Sequence, residues 1–442
     1  MYGRVVFLHP DLGIGGAERL VVDAAVAVNR SGYGVKIITN HHDPTHCFEE
    51  TMRPELNVVT VCQWFPRSFL GRFRALFACI RLLIATIYLV CTCNARTDLI
   101  FLDQISAPLF LLRLFGFKTI FYCHFPDLLL TERRSILKKI YRWPIDYVEE
   151  RSTGCADKIL VNSNFTAGVF HTTFTSLKET RVEVVYPVSS LDNLKLPPAV
   201  LDVQDVSKCT GDKMLCRKAL PTGTIPASSK FVFVSINRYE RKKNISLAMF
   251  ALNHLIHHWD ELVEANSETE RAKPSDVHLV IAGGYDTRVP ENVEHYEELV
   301  KLAKELMIDN QVTFVRSCLS EMKSLLIAAS DAVLYTPEGE HFGIVPVEAM
   351  FLSRPVVALD SGGPRETIVH GSTGFLCPTD PISLLPPSFA SLLAHFIEDP
   401  SLSGRMGRAG YRRAVEKFSF EAFRKHMCDI IIQMYEDKKH NA

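Results

Sequence analysis

Short β-branched and aromatic runs alternate with helical patterns along most of the chain. Residues 5–8, 35–39, 99–102, 119–122 and 158–161 form a first series of strand-like runs. A second series occupies 231–236, 277–282, 312–315, 332–335 and 355–359. After the first run comes a glycine-rich loop, then Ala17, Leu20, Val21, Ala24, Ala25 and Val28, spaced alternately three and one apart. That spacing puts the six side chains on one helical face. Continuous apolar strands alternating with helices predict parallel sheets covered on both faces, the α/β class.

Residues 189–229 interrupt this rhythm. They have no apolar period and are rich in Pro, Ser, Thr, Lys and Asp, as expected of a linker or insertion. Two Rossmann-like, doubly wound domains are therefore expected at 1–188 and 230–410. A last pattern, Phe420, Phe423, Met427, Ile430, Ile431 and Met434, predicts a helix within 411–442, a candidate to pack back on the first domain.

Residues 76–93 are apolar except for Arg81, Thr86 and Thr92. Length alone permits a membrane span, which needs about 20 apolar residues. A span would leave the 5–8 strand and the rest of its sheet on opposite sides of a bilayer, so it ranks below two other readings. One is a helix in the membrane interface, with Arg72, Arg74 and Arg81 reaching headgroups; the other is a buried core helix. The segment Phe125-Pro126-Asp127-Leu128-Leu129-Leu130, followed by Arg133, Arg134, Lys138, Lys139 and Arg142, also suits an anionic surface. A solvated helix face is its plain alternative.

Composition narrows the function classes. Of 442 residues, 47% are hydrophobic and 22% charged, which excludes disorder over the whole chain. Lys plus Arg is 49 against 50 Asp plus Glu, so nothing points to nucleic acid as a partner. The 12 cysteines are scattered without CxxC spacing, which argues against a disulfide framework or a zinc site and for a reducing compartment. The first residues enter a strand directly, with no secretory pattern, so the sequons at Asn164 and Asn244 are taken as chance.

Candidate chemistry follows the strands. The turn Gly13-Ile14-Gly15-Gly16-Ala17-Glu18 joins a strand to a helix, where Gly15 and Gly16 let a ligand approach backbone N–H groups. It is not GxGxxG, and Asn40, His41 and His42 stand where a dinucleotide site would place an acid. Arg238 and Lys243 follow the first strand of the second domain and could neutralise a diphosphate. Glu340-His341-Phe342-Gly343-Ile344 opens a helix that carries Glu348. The helix start at Phe342, Gly343 and Ile344 would offer N–H groups to phosphate, Glu340 would accept sugar hydroxyls, and Glu348 would clamp a ribose. Ser361-Gly362-Gly363-Pro364-Arg365-Glu366 follows the next strand. His124 follows the 119–122 strand, and its candidacy rests on that position.

The spaced Glu340 and Glu348, the Arg238 and Lys243 pair, the Gly15-Gly16-Ala17-Glu18 turn and the Gly362-Gly363-Pro364 loop resemble the retaining glycosyltransferases of family four. The segments His124–Leu130, Asn237–Asn244, Gly283-Gly284-Tyr285-Asp286 and Glu340–Met350 are similar to the branch that extends the dolichol-linked N-glycan precursor. Two departures are Asn237, where many members have Gly, and the length of 189–229. The resemblance implies the GT-B fold, two Rossmann-like domains facing a central cleft. It implies GDP-mannose as donor, and a dolichyl-diphosphate-linked oligosaccharide that receives an α-1,3 and then an α-1,6 mannose. It further implies work at a membrane surface, the cytosolic face of the endoplasmic reticulum, beside neighbouring enzymes of the same pathway. Glu340, His124, Arg238 and Lys243 would act at the reacting centre. With Arg and Lys on the diphosphate, no metal or other cofactor is required. The alternatives are a family-four enzyme for another lipid acceptor, such as phosphatidylinositol or a later dolichol-linked intermediate, a non-catalytic sugar-nucleotide-binding subunit, and a soluble epimerase.

Overall fold

The computed structural model describes residues 3–68, 73–131, 135–188, 213–264 and 272–440. They divide into two compact units. The first unit joins the residues up to Val188 with those from Phe420 onward, and the second ends at Ser419.

In the first unit, the strands are β1 (Arg4–His9), β2 (Gly34–Thr39), β3 (Val58–Thr60), β4 (Asp98–Asp103), β5 (Lys118–Cys123), β6 (Lys158–Val161) and β7 (Val182–Val184). They lie in the order β3-β2-β1-β4-β5-β6-β7, all parallel. Successive residues point to opposite faces, and both faces are covered. Phe7, Ile37, Phe101 and Tyr122 pack under the helices Gly16–Arg30 and Phe420–His440. Leu8, Ile38, Leu102 and Phe121 pack on the other face with Leu82, Ala85 and Leu89 of the helix Arg74–Thr92.

The second unit contains β8 (Phe231–Ile236), β9 (Val277–Gly283), β10 (Val312–Arg316), β11 (Ala332–Tyr335), β12 (Val356–Leu359) and β13 (Gly374–Cys377). Their order, β10-β9-β8-β11-β12-β13, is again wholly parallel. Each sheet reverses its strand order once, between β1 and β4 and between β8 and β11. Doubly wound sheets bind ligands beyond the carboxyl ends of the strands at that point.

Several expectations need correction. β3, β7 and β13 had no strand pattern in the sequence, because they are short edge strands, defined by pairing with a single neighbour more than by a buried apolar run. Residues 213–229, expected in the linker, belong to the second unit. There the helix Lys213–Ala219 anchors Arg217, which donates to Asp331 Oδ2 at 3.1 Å. Residues 411–418, expected with the last helix, complete the helix Leu402–Phe418 instead. The helix Phe420–His440 does pack on the first unit, where Phe423, Met427, Ile430 and Ile431 are buried. Tyr435 donates its hydroxyl to the Arg4 carbonyl at 2.8 Å.

The helix Arg74–Thr92 divides the interface and core readings by face. Its inner side is core, while Leu76 and Ile87 are exposed. Arg81 does not reach outward: it is buried, and it donates to the Asn40 carbonyl at 2.9 Å. Arg72, Arg133 and Arg134 lie outside the described residues, as do residues 189–212 of the expected linker.

Candidate active site

The loops after β8 and β11 bring the second unit's candidates together at the strand-order reversal. Chain direction after β8 turns through Arg241–Lys243, a single 3-10 turn that ends in a left-handed Asn244. Lys243 Nζ thereby donates to Glu340 Oε2 at 2.5 Å. The Thr336 hydroxyl donates to the Lys243 carbonyl at 2.8 Å and ties the two loops. Burial works to raise the Glu340 carboxyl. The Lys243 ammonium, with smaller help from His341 and the Tyr335 hydroxyl, holds it below the ordinary carboxylate range. Tyr335 is itself pushed well above the usual phenol value, first by burial and then by the Glu340 charge. Glu340 is thus an ionised acceptor in a partly water-excluded setting.

Gly343, at φ 81°, caps the helix Ile344–Phe351 in a conformation that favours glycine. A side chain there would also press on the Tyr335 ring. Phe342 is buried against Phe418, with ring centroids 5.8 Å apart, and Ile344 is half-exposed. Gly362, at φ 61°, and Gly363 allow the next loop to lie against the Glu340 and Phe342 backbone. Gly363 N–H donates to the Glu340 carbonyl at 2.8 Å. The glycine loops therefore shape the acidic loop.

Glu348 is buried about one turn into that helix. Its Oε1 accepts from Lys323 Nζ at 2.6 Å, and its Oε2 has no hydrogen-bond partner among the described residues. A buried carboxylate oxygen without a donor is costly, so it is suited to a ligand hydroxyl. Arg238 is exposed and held at 3.0 Å from Glu240 Oε1, beside Gly284.

The first unit carries Gly15, Gly16 and His124. Gly15 is the N-cap of the helix Gly16–Arg30, where space around Gly16 is open. His124 Nε2 lies 3.0 Å from Asp103 Oδ2, and His9 Nδ1 lies 2.6 Å from Asp103 Oδ1. Burial opposes charge on Asp103, but the two imidazoles hold its carboxyl below the usual range. Arg238, Lys243, Glu340, Phe342, Gly343, Ile344 and Glu348 therefore gather in one unit, and Gly15, Gly16 and His124 in the other.

Lys323, Tyr335, Thr336, Asp103 and His9 were missed in the sequence. Asp103, His9, Tyr335 and Thr336 carried a usable signal, since each is a polar or phenolic residue at the carboxyl end of an apolar strand run. Lys323 carried none, because its helix lies apart in sequence from every motif. Among the described residues, no group of three or more His, Cys, Asp or Glu is arranged to hold a metal.

Comparison with known proteins bears on the whole chain. The family description "Glycosyl transferases group 1" matches residues 223–413, and "Glycosyltransferase Family 4" matches residues 14–192. The chain is 44% identical over 437 residues to alpha-1,3/1,6-mannosyltransferase ALG2 of Mus musculus, covering 97% of this chain and 96% of the relative. It is 46% identical over 430 residues to the Homo sapiens protein of the same name, covering 96% and 94%. Sucrose-phosphate synthase from Thermosynechococcus elongatus shares the fold, with TM-score 0.68, 18% identity and coverage of 98% of this chain and 100% of that one. WaaG, a glycosyltransferase involved in lipopolysaccharide biosynthesis, does so with TM-score 0.64, 15% identity and coverage of 96% and 98%. Two parallel Rossmann-like sheets of this order and near-full-length identity lead to one conclusion: the chain is a GT-B hexosyltransferase that belongs to the alpha-1,3/1,6-mannosyltransferases of glycosyltransferase family four.

Proposed function

We propose that the chain transfers mannose from GDP-mannose to a dolichyl-diphosphate-linked oligosaccharide, first in α-1,3 and then in α-1,6 linkage, during N-glycan precursor assembly. The observation that carries this reading is the Lys243–Glu340 pair beside the buried, half-partnered Glu348. Such a site offers cation charge for a diphosphate, an acceptor for sugar hydroxyls and an acceptor for a ribose.

The donor is an α-glycoside and the products are α-mannosides, so configuration is retained. The bond from the anomeric carbon to the diphosphate oxygen breaks, and the acceptor oxygen bonds to that carbon on the same face. The departing phosphate oxygen takes the acceptor proton. Negative charge grows on the diphosphate, where Arg238, Lys243 and the N–H groups at Gly343 and Ile344 would stabilise it. With those cations present, we propose that no metal or other cofactor is needed. Glu340 would orient the mannose, Glu348 would hold the ribose, and His124, with the Gly15-Gly16 turn, would serve the reacting sugar or the acceptor from the first unit.

We place the enzyme at the cytosolic face of the endoplasmic reticulum membrane, bound in the interface and near other enzymes of its pathway. The helix Ile136–Thr153 supports interface binding. Ile136, Ile140, Trp143 and Tyr147 form one stripe and are 75%, 66%, 73% and 55% exposed. Its exposed charges, Lys138, Lys139 and Arg151, are all positive. An apolar stripe with Trp and Tyr among cations suits an anionic bilayer surface.

The test is turnover by the detergent-purified protein. It would receive GDP-mannose and a dolichyl-diphosphate chitobiose carrying one β-mannose, with products mapped by linkage-specific mannosidases. Addition of two α-mannoses, at the 3 and 6 positions, is the expected result. Binding of GDP-mannose without transfer would move the reading to another lipid acceptor or to a non-catalytic subunit.

A further inference from the structure

We infer that Asp103 is a positioning residue for His124: its buried carboxylate, bridging His9 and His124, fixes the ring and tautomer that His124 presents. This rests on the reading that His124 serves the reacting sugar or the acceptor. The strand order β1-β4-β5 lines up three carboxyl ends, with His9 closing β1, Asp103 closing β4 and His124 just beyond β5. Asp103 and His9 are fully buried, whereas the His124 side chain is 24% exposed. Only one of the two histidines therefore faces outward, and the carboxylate behind it is sealed from water.

An ionised carboxylate can only accept. Both ring nitrogens that face it must therefore donate: His9 Nδ1–H to Oδ1 at 2.6 Å, and His124 Nε2–H to Oδ2 at 3.0 Å. In the neutral ring, Nδ1 of His124 is then the acceptor. The Tyr122 ring, 4.8 Å from the His124 ring, limits its rotation, and Asn162 Nδ2 donates to the His124 carbonyl at 2.9 Å. His9 anchors the far side of the carboxylate, so Asp103 cannot swing away. With His9 and Asp103 fully buried, His124 is the member of the trio that is accessible to a ligand.

Asp103→Asn tests this. Asparagine has nearly the same shape but one acceptor oxygen for two ring N–H donors, so one imidazole must turn or change tautomer. The expected result is a folded protein with a lowered melting temperature, unchanged GDP affinity, and kcat lower by about 10²-fold, the scale of misplacing a reacting group. In a His124→Ala background, Asp103→Asn should add no further loss. Wild-type turnover in Asp103→Asn while His124→Ala is impaired would overturn the inference alone. Additive losses would also overturn it, since they would mean a structural role independent of His124. Wild-type turnover in His124→Ala would overturn the underlying reading of His124 as well. Should Asp103→Asn not fold, ¹⁵N-histidine spectra of the wild-type protein decide the matter, with His124→Ala for assignment. An Nε2–H tautomer at His124 is expected, and an Nδ1–H tautomer overturns the inference.

Discussion

Lys243 and Glu340 are 97 residues apart in sequence, yet the Lys243 ammonium donates to the Glu340 carboxylate at 2.5 Å. Each group neutralises the other in a setting where either alone would be under-solvated. A diphosphate arriving at Lys243 would compete with Glu340 for the ammonium and release the carboxylate toward a sugar hydroxyl. Glu340→Gln should therefore bind GDP normally but lower kcat by about 10²–10³-fold, comparable to removing one preorganised polar group. Steady-state rates with a binding titration would check this; an unchanged kcat would remove Glu340 from the reacting centre. On the proposal that side chains supply the cations, treatment with EDTA should leave wild-type transfer unchanged.

Among the described residues, Glu348 is half-partnered, by Lys323. If its free oxygen accepts from a ribose hydroxyl, Glu348→Gln should weaken GDP binding by about 10-fold, the order of one charge-assisted hydrogen bond. The same substitution should scarcely affect a 2′,3′-dideoxy analogue. Calorimetry with both nucleotides separates the outcomes, and equal weakening would argue against a ribose contact.

Glu149 gives a pH dependence with a definite sign. Its carboxylate accepts the N–H groups of Asp127 at 2.7 Å and Leu128 at 3.1 Å, holding the segment that follows His124. Burial first, and then the Asp127 charge, raise its pKa from 4.5 to about 7. In the unfolded chain the group ionises near 4.5, while in the folded chain it stays protonated to about 7. Folded stability should therefore fall as pH rises from about 4.5 to about 7, and flatten above that. Glu149→Gln should remove this slope from melting curves taken across the range; a slope that survives would assign it to other groups.

The helices Arg74–Thr92 and Ile136–Thr153 of the first unit should respond differently to substitution. Leu89 is fully buried on the helix Arg74–Thr92, so Leu89→Ala should cost about 2–5 kcal/mol in chemical denaturation. Ile136→Ser, Ile140→Ser and Trp143→Ser alter exposed positions of the helix Ile136–Thr153. Together they should leave the melting temperature unchanged and abolish flotation with vesicles containing phosphatidylserine. Persistent flotation would locate membrane binding elsewhere.

Much of the architecture was legible because parallel strands buried on both faces leave uninterrupted apolar runs. Residues 231–236 and 332–335 coincide with β8 and β11 for that reason. Residues 58–60 and 374–377 did not stand out, since short edge strands are defined by pairing with a neighbour more than by composition. Arg81 was misread because a cation in an apolar stretch has two fates, snorkelling outward or bonding backbone inward. The Asn40 carbonyl, 41 residues away, and the Asp11 carboxylate, 3.5 Å from the guanidinium, decide between them.

The sequence by itself determined the two series of strands, the reversal loops that carry Arg238, Lys243 and Glu340, the helix that carries Glu348, and the family. These depend on local periodicity and on spacing within a single loop. Only the tertiary structure decided that Lys243 meets Glu340, that Lys323 holds Glu348, and that Asp103 stands between His9 and His124. Those partners come from different strands and loops. Their approach is set by strand order and register in the sheet, which join residues distant along the chain and leave no trace in the spacing of either one.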